Sequence, residues 1–154
     1  MIIAFVADAY CLNESGIDEI VKEQIRLSAV GERPIDCYFA WNSEFDSICV
    51  NACAEMKAER RIKLIYVAPN LSLFREIYTE RIKELGLFDD SFHLSLGTVA
   101  ARTAIENRNA WMLEQADMAI TYLTPDAADR YGLNRLIMRG KTVINIYDSQ
   151  GGDR

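Results

Sequence analysis

Five short apolar runs, spaced by stretches of helical periodicity, constrain this chain more than any other feature. They are Ile2–Ala7 (IIAFVA), Ile35–Ala40 (IDCYFA), Ile62–Ala68 (IKLIYVA), Met118–Leu123 (MAITYL) and Thr142–Tyr147 (TVINIY). Most are apolar at odd and even positions alike. A strand with one solvated face alternates, so unbroken apolar runs belong to a sheet covered on both sides, which favours a parallel sheet.

The intervening segments carry the matching helical signals. In Ser43–Arg60, Phe45, Ile48, Cys49, Ala52, Cys53 and Met56 follow the three-four spacing of one helix face. SEFD at its start places a hydroxyl three residues before a carboxylate, close to a capping box. Leu71–Leu85 repeats the pattern through Phe74, Ile77, Tyr78, Ile82 and Leu85, and Gly86 supplies a stop. Weaker helical patterns cover Glu14–Ala29, Thr98–Gln115 and Asp126–Arg139.

Strands alternating with such helices imply right-handed crossovers. The expected fold is one doubly wound α/β domain over residues 1–148, with five parallel strands in the order 3-2-1-4-5 and helices on both faces. Leu87–Leu96 is left over, as a loop or a short irregular strand, and 149–154 is expected to fray. At 154 residues the chain is long enough to bury a core of this kind.

Charge and composition narrow the function. A net charge of −6 gives no general footprint for nucleic acid, whose phosphates are neutralised by Lys and Arg. No apolar run approaches the ~20 residues that span a bilayer. The first residues read as a strand rather than a signal peptide, so no membrane association and a cytoplasmic location are expected. The four cysteines, Cys11, Cys37, Cys49 and Cys53, are too irregular for a disulfide framework. With His93 the only histidine and no paired-cysteine motif, neither a metal site nor a cofactor is expected, and His93 reads as surface or half-buried.

Doubly wound sheets bind ligands beyond the carboxyl ends of their strands, where the strand order reverses. The nominated loops are Asp8–Leu12, Trp41–Glu44, Pro69–Leu71 and Thr124–Gly132. No dinucleotide or P-loop glycine fingerprint lies in them. Tyr10 and Trp41 stand at strand ends, where an aromatic either stacks on a ligand or closes the core. In IENRNAWM (Ile105–Met112), Arg108 shares an apolar helix face with Ala101, Ala104, Ile105, Trp111 and Met112. A guanidinium there is costly unless it finds an anion or several acceptors, or snorkels to solvent. An anion there is either an internal carboxylate, such as Asp46 or Asp8, or the phosphate or carboxylate of a ligand.

Phe45–Pro69 (FDSICVNACAEMKAERRIKLIYVAP), Ile105–Leu123 (IENRNAWMLEQADMAITYL) and Gly140–Asp148 (GKTVINIYD) resemble, in order, segments of small bacterial proteins of the SLOG superfamily. That Rossmann-like group includes the lonely-guy-type proteins and DNA-processing protein A. The resemblance implies a nucleotide-derived ligand at the strand ends and, because relatives often dimerise, a homo-oligomer. The lonely-guy branch hydrolyses the N-glycosidic bond of nucleoside monophosphates, using an Arg-x-x-x-Met element and a glycine-rich P-G-G-x-G-T-x-x-E element. Arg108 and Met112 match the first. The second is replaced by TPDAADRYGLNRL (Thr124–Leu136), and the glycine-rich turns after the first and second strands by ADAY (Ala7–Tyr10) and WNSE (Trp41–Glu44).

Glycines let backbone N–H groups approach a phosphate, so these replacements remodel the cradle, and Asp8, Glu44, Asp126 and Asp129 bring negative charge to it. The expected ligand-binding set is Asp8, Ala9, Tyr10, Trp41, Asn42, Ser43, Asp46, Arg108, Asn109, Met112, Thr124, Asp126 and Asp129. Three readings follow. The first is a binding protein that senses or sequesters a nucleotide-derived ligand without hydrolysis. The second is a nucleoside or nucleotide hydrolase, or a deoxyribosyltransferase-like enzyme, in which Asp8, Asp46, Asp126 or Asp129 replaces the lost glutamate. The third is a protein-interaction subunit with a degenerate pocket. No catalytic residue is assigned.

Overall fold

A computed structural model of the chain describes residues 1–8, 16–28, 33–41, 43–69, 75–94 and 100–147, with backbone alone at 75–79 and 101. The strands are β1 (Ile2–Ala7), β2 (Ile35–Phe39), β3 (Ile62–Ala68), β4 (Asp90–His93), β5 (Met118–Tyr122) and β6 (Thr142–Asn145). They form one parallel sheet in the order β4-β3-β2-β1-β5-β6. The fold is Rossmann-like α/β, with six strands where five are expected. The added strand lies in the left-over segment and extends the sheet beyond β3.

Several boundaries also differ, two of them for reasons the residues there make plain. Thr142–Tyr147 reads as one strand, yet β6 ends at Asn145 and Ile146–Tyr147 turn helical. The Asn145 side chain explains where the strand stops. Its Oδ1 accepts from the Leu123 N–H at 2.9 Å and from the Thr121 hydroxyl at 3.0 Å, and its Nδ2 donates to the Leu123 carbonyl at 2.9 Å. The asparagine thus caps the end of β5 in place of further backbone pairing. Asp126–Arg139 reads as one helix, but Gly132 adopts φ +68° and divides it.

The helices are α1 (Ile17–Ser28), α2 (Glu44–Met56), α3 (Arg75–Leu85), α4 (Ala101–Gln115), α5 (Pro125–Arg130) and α6 (Leu133–Met138). On one face of the sheet Ile3, Phe5, Cys37, Phe39, Leu64, Met118 and Ile120 pack against Ile17, Val21 and Ile25 of α1 and Phe45, Cys49 and Met56 of α2. Tyr66 and Ala68, on that same face by strand alternation, receive Ile82 of α3. The other face presents Ala4, Val6, Tyr38, Ile65, Val67 and Ala119 to α4, α5 and α6. Ala4 and Ala119 are small, which lets α4 approach the sheet closely. Each large side chain fully buried here contributes roughly 1.5–3 kcal/mol.

This layering follows from handedness. Chain progression runs outward from β1 through β4 with α1–α3 on one face. It then reverses through α4 to β5 and β6, which puts α4–α6 on the other. In doubly wound sheets ligands bind beyond the carboxyl ends of the strands where the order reverses, here those of β1 and β5. Cys37, Cys49 and Cys53 are buried thiols; a hydrogen bond with Cys53 and burial push the Cys37 thiol well up. Among the described residues no helix is long and apolar enough to cross a membrane.

Candidate functional site

Two polar constructions stand at the carboxyl edge. The first lies where the strand order reverses. The Asp8 carboxylate, just beyond β1, accepts from the Thr124 N–H at 3.0 Å and from the Thr124 hydroxyl at 3.2 Å. Thr124 is also the N-cap of α5, where its Oγ1 accepts from the Ala127 N–H at 3.4 Å. One threonine therefore fastens β1 to the start of α5. Asp8 stays exposed, as do Asp126 and Asp129 on α5.

The second construction is buried. Arg108, on α4, is only 2% exposed. Its guanidinium donates to the Ala40 carbonyl beyond β2 at 3.5 Å, to the Val67 carbonyl in β3 at 3.4 Å and to Asn109 Oδ1 at 3.0 Å. The side chain thus leaves its own layer and crosses the end of the sheet between β2 and β3. Burial lowers the pKa of the guanidinium, while the charges of Tyr66, Asp46 and Tyr131 act in the opposite sense. Asp46 and Tyr66 belong to the opposite layer, so the two layers meet electrostatically around this one side chain. Asn109 continues the network through Nδ2, which donates to the Tyr131 hydroxyl at 3.1 Å.

Asp46 is fully buried in the first turn of α2. Ser43 is the N-cap expected from SEFD: its hydroxyl donates to Asp46 Oδ2 at 2.9 Å and accepts from the Asp46 N–H at 3.3 Å. A capping box sends the carboxylate back to the cap's backbone N–H. Here the carboxylate takes the cap's hydroxyl.

Trp41 lies between these parts with φ +54°, in the left-handed region that glycine occupies without cost. It is half-buried, and its ring stands edge-on to Phe88 at 5.6 Å. Strained backbone of this kind costs on the order of 1–3 kcal/mol and gathers at functional sites.

Of the expected site residues, Ser43, Asp46, Arg108 and Asn109 come together, with Trp41 on the same edge. Asp8 and Thr124 form the separate clamp where the strand order reverses. Met112 is fully buried in the core beneath α4. Ala9, Tyr10 and Asn42 lie outside the described residues. Tyr131 went unnamed in the sequence, although it falls inside a nominated loop; its position beside the helix-breaking Gly132 was the available signal. Of the two internal carboxylates weighed for Arg108, Asp46 contributes a charge that favours the guanidinium, behind burial and Tyr66, whereas Asp8 accepts hydrogen bonds from Thr124. A separate groove of about 730 Å³ opens at the amino edge between Arg33, Asp117 and Thr142. Asp117 there already accepts the Ile2 N–H at 2.8 Å, which makes it part of the strand pairing.

The chain matches no protein-family model and no curated protein sequence.

Proposed function

We propose that the chain is a binding protein of SLOG type that senses or sequesters a nucleotide-derived small ligand at the carboxyl edge, without lonely-guy-type hydrolysis. One observation carries this reading. Among the described residues the buried polar side chains are Asp46, Arg108, Asn109 and Thr121, and three of these four gather at the ends of β2 and β3. Burying a guanidinium and a carboxylate costs several kcal/mol before their attraction is counted, and apolar residues hold a sheet end as well or better. Buried charge next to a topological switch point marks a functional site more than a stability device. The ligand spans from this polar floor toward the Asp8–Thr124 clamp, with Trp41 beside it.

Native mass spectrometry of the purified protein, followed by thermal shift against nucleosides and nucleotides, tests the reading. A co-purified small molecule or a saturable rise in Tm is expected, weakened in Arg108→Lys, which keeps the charge and loses the planar fork. A bare mass with no response across the panel overturns it.

The fully buried carboxylate of Asp46 in the first turn of α2 favours one second reading, an N-glycosidic hydrolase with Asp46 stabilising the cationic sugar. Release of free base from the same panel, abolished in Asp46→Asn, is its signature, and intact nucleosides after prolonged incubation dismiss it.

A further inference from the structure

The outer edge of the sheet holds a cavity that the carboxyl-edge residues do not line. Register sets Phe39, Tyr66 and Ser91 in one row across β2, β3 and β4, with their side chains on the face that α1–α3 cover. Two large rings are thus followed by a small hydroxyl, because β4 is polar where a central strand is apolar. Phe88, in the turn before β4, closes over the larger pair, its ring centroid 6.0 Å from that of Phe39 and 5.8 Å from that of Tyr66. Beside it a cavity of about 200 Å³ lies between the end of α3 and the β3–β4 edge.

The walls select one kind of occupant. Tyr66 and Ile82 are buried, and with half-buried Phe88 they make an aromatic and aliphatic lining. An apolar cavity of roughly 150 Å³ admits benzene, whereas drug-sized ligands take roughly 300–1,000 Å³. The space here therefore fits one ring with a small substituent. Ser91 supplies the polar contact for that substituent. Its hydroxyl stands 3.5 Å from His93 Nε2, too long for a strong hydrogen bond, so it retains capacity to donate and accept. The rim carries Lys83, Asp89 and Asp90, with Lys57 paired to Asp89 at 2.7 Å, so two positive and two negative groups cancel there. Neither an anionic nor a cationic substituent is favoured.

We propose that this cavity is a second small-molecule site, which takes an uncharged aromatic ring bearing one hydrogen-bonding group of the phenol kind. The ring packs among Tyr66, Phe88 and Ile82, and its polar group meets Ser91. The site goes beyond the binding reading above and does not depend on it, since neither Arg108 nor Asp46 lines the cavity.

The test follows backbone amide shifts of the full, isotope-labelled chain at neutral pH. Phenol, benzoate and benzylamine are the probes, because they put a neutral, an anionic and a cationic group on one ring. Phenol is expected to give saturable shifts centred on Tyr66, Lys83 and Phe88–Ser91, with a Kd of about 1 mM or tighter. The two charged probes are expected to bind at least roughly tenfold more weakly. Ser91→Phe, which places a ring in the cavity from an edge strand, is expected to abolish the response, and Ile82→Phe fills the same space from α3 should that variant not fold. Ser91→Ala keeps the room but loses the hydroxyl, and is expected to weaken phenol roughly 2–10-fold.

No saturable phenol response, shifts centred elsewhere, or undiminished binding to the filled variant overturns the site. Benzoate or benzylamine binding as tightly as phenol overturns the uncharged class, and undiminished affinity in Ser91→Ala overturns the contact with the hydroxyl. A chain that responds to phenol but to no nucleoside or nucleotide upholds this site while the reading above falls.

Discussion

Arg108 is buried and held by the Ala40 and Val67 carbonyls and the Asn109 amide oxygen. Truncating it leaves buried acceptors without that donor and removes a charge that Asp46 favours. Arg108→Ala is expected to lose about 3–5 kcal/mol, read as a lowered urea midpoint. A variant as stable as the wild type would mean the guanidinium is not held in the interior at all. Arg108→Lys should fall between, since one ammonium cannot reach both carbonyls and Asn109 together. At this scale the sequence was half legible. An arginine on an apolar helix face announced that an anion or several acceptors were needed, and the structure supplies two carbonyls and the Asn109 amide oxygen. Choosing Asp46 over Asp8 depended on how far α4 carries the side chain past the end of the sheet, and no spacing in the sequence encodes that reach.

Short connecting elements obey similar local rules. Gly132 separates α5 from α6 at φ +68°, and a Cβ added there meets nothing nearer than the Arg135 side chain at 3.5 Å. The cost of Gly132→Ala is therefore conformational, about 1–2 kcal/mol, and shows as a lower Tm with an unchanged far-ultraviolet spectrum. Asp89 introduces β4: its N–H donates to the Leu64 carbonyl at 2.7 Å, and its carboxylate accepts from the Leu64 N–H at 2.8 Å and pairs with Lys57 at 2.7 Å. Burial pushes this carboxyl up, but the Leu64 N–H and Lys57 outweigh it and hold it below the usual range. A depressed folded-state pKa stabilises above the unfolded value, near ~3.9, and that stability fades as pH falls through it. The urea midpoint should drop between roughly pH 5 and 3, by less in Asp89→Asn; equal drops would remove Asp89 from the account. Strands that announce themselves by composition were legible. β4 was not, because DSFH is four residues long, polar and partly exposed at the edge of the sheet. The helix break was hidden for a related reason, since Gly132 lies inside an otherwise continuous helical pattern.

The whole molecule is two helical layers on one sheet, with Arg108 of α4 reaching the ends of β2 and β3 and the Asp8–Thr124 clamp tying β1 to α5. A ligand seated across both couples its binding to global stability. At about 100 times Kd it adds roughly 2.7 kcal/mol, or about 5–10 °C in Tm for a chain of this length. A ligand confined to a frayed loop would produce far less. Topology was the most legible property, because apolar runs, crossover handedness and the reversal of strand order together leave few alternatives. The buried polar groups at the ends of β2 and β3 were less legible, because their meeting depends on how side chains from different layers reach the end of the sheet. The placement of the indoles has a practical outcome. The chain has two tryptophans, Trp41 against Phe88 at the carboxyl edge and Trp111 stacked on Tyr38 at 5.8 Å in the opposite layer. Each layer thus carries its own fluorophore. Trp111→Phe leaves an emission that watches the carboxyl edge alone, and Trp41→Phe leaves one that watches α4, so occupancy and its transmission through the sheet become separately visible signals.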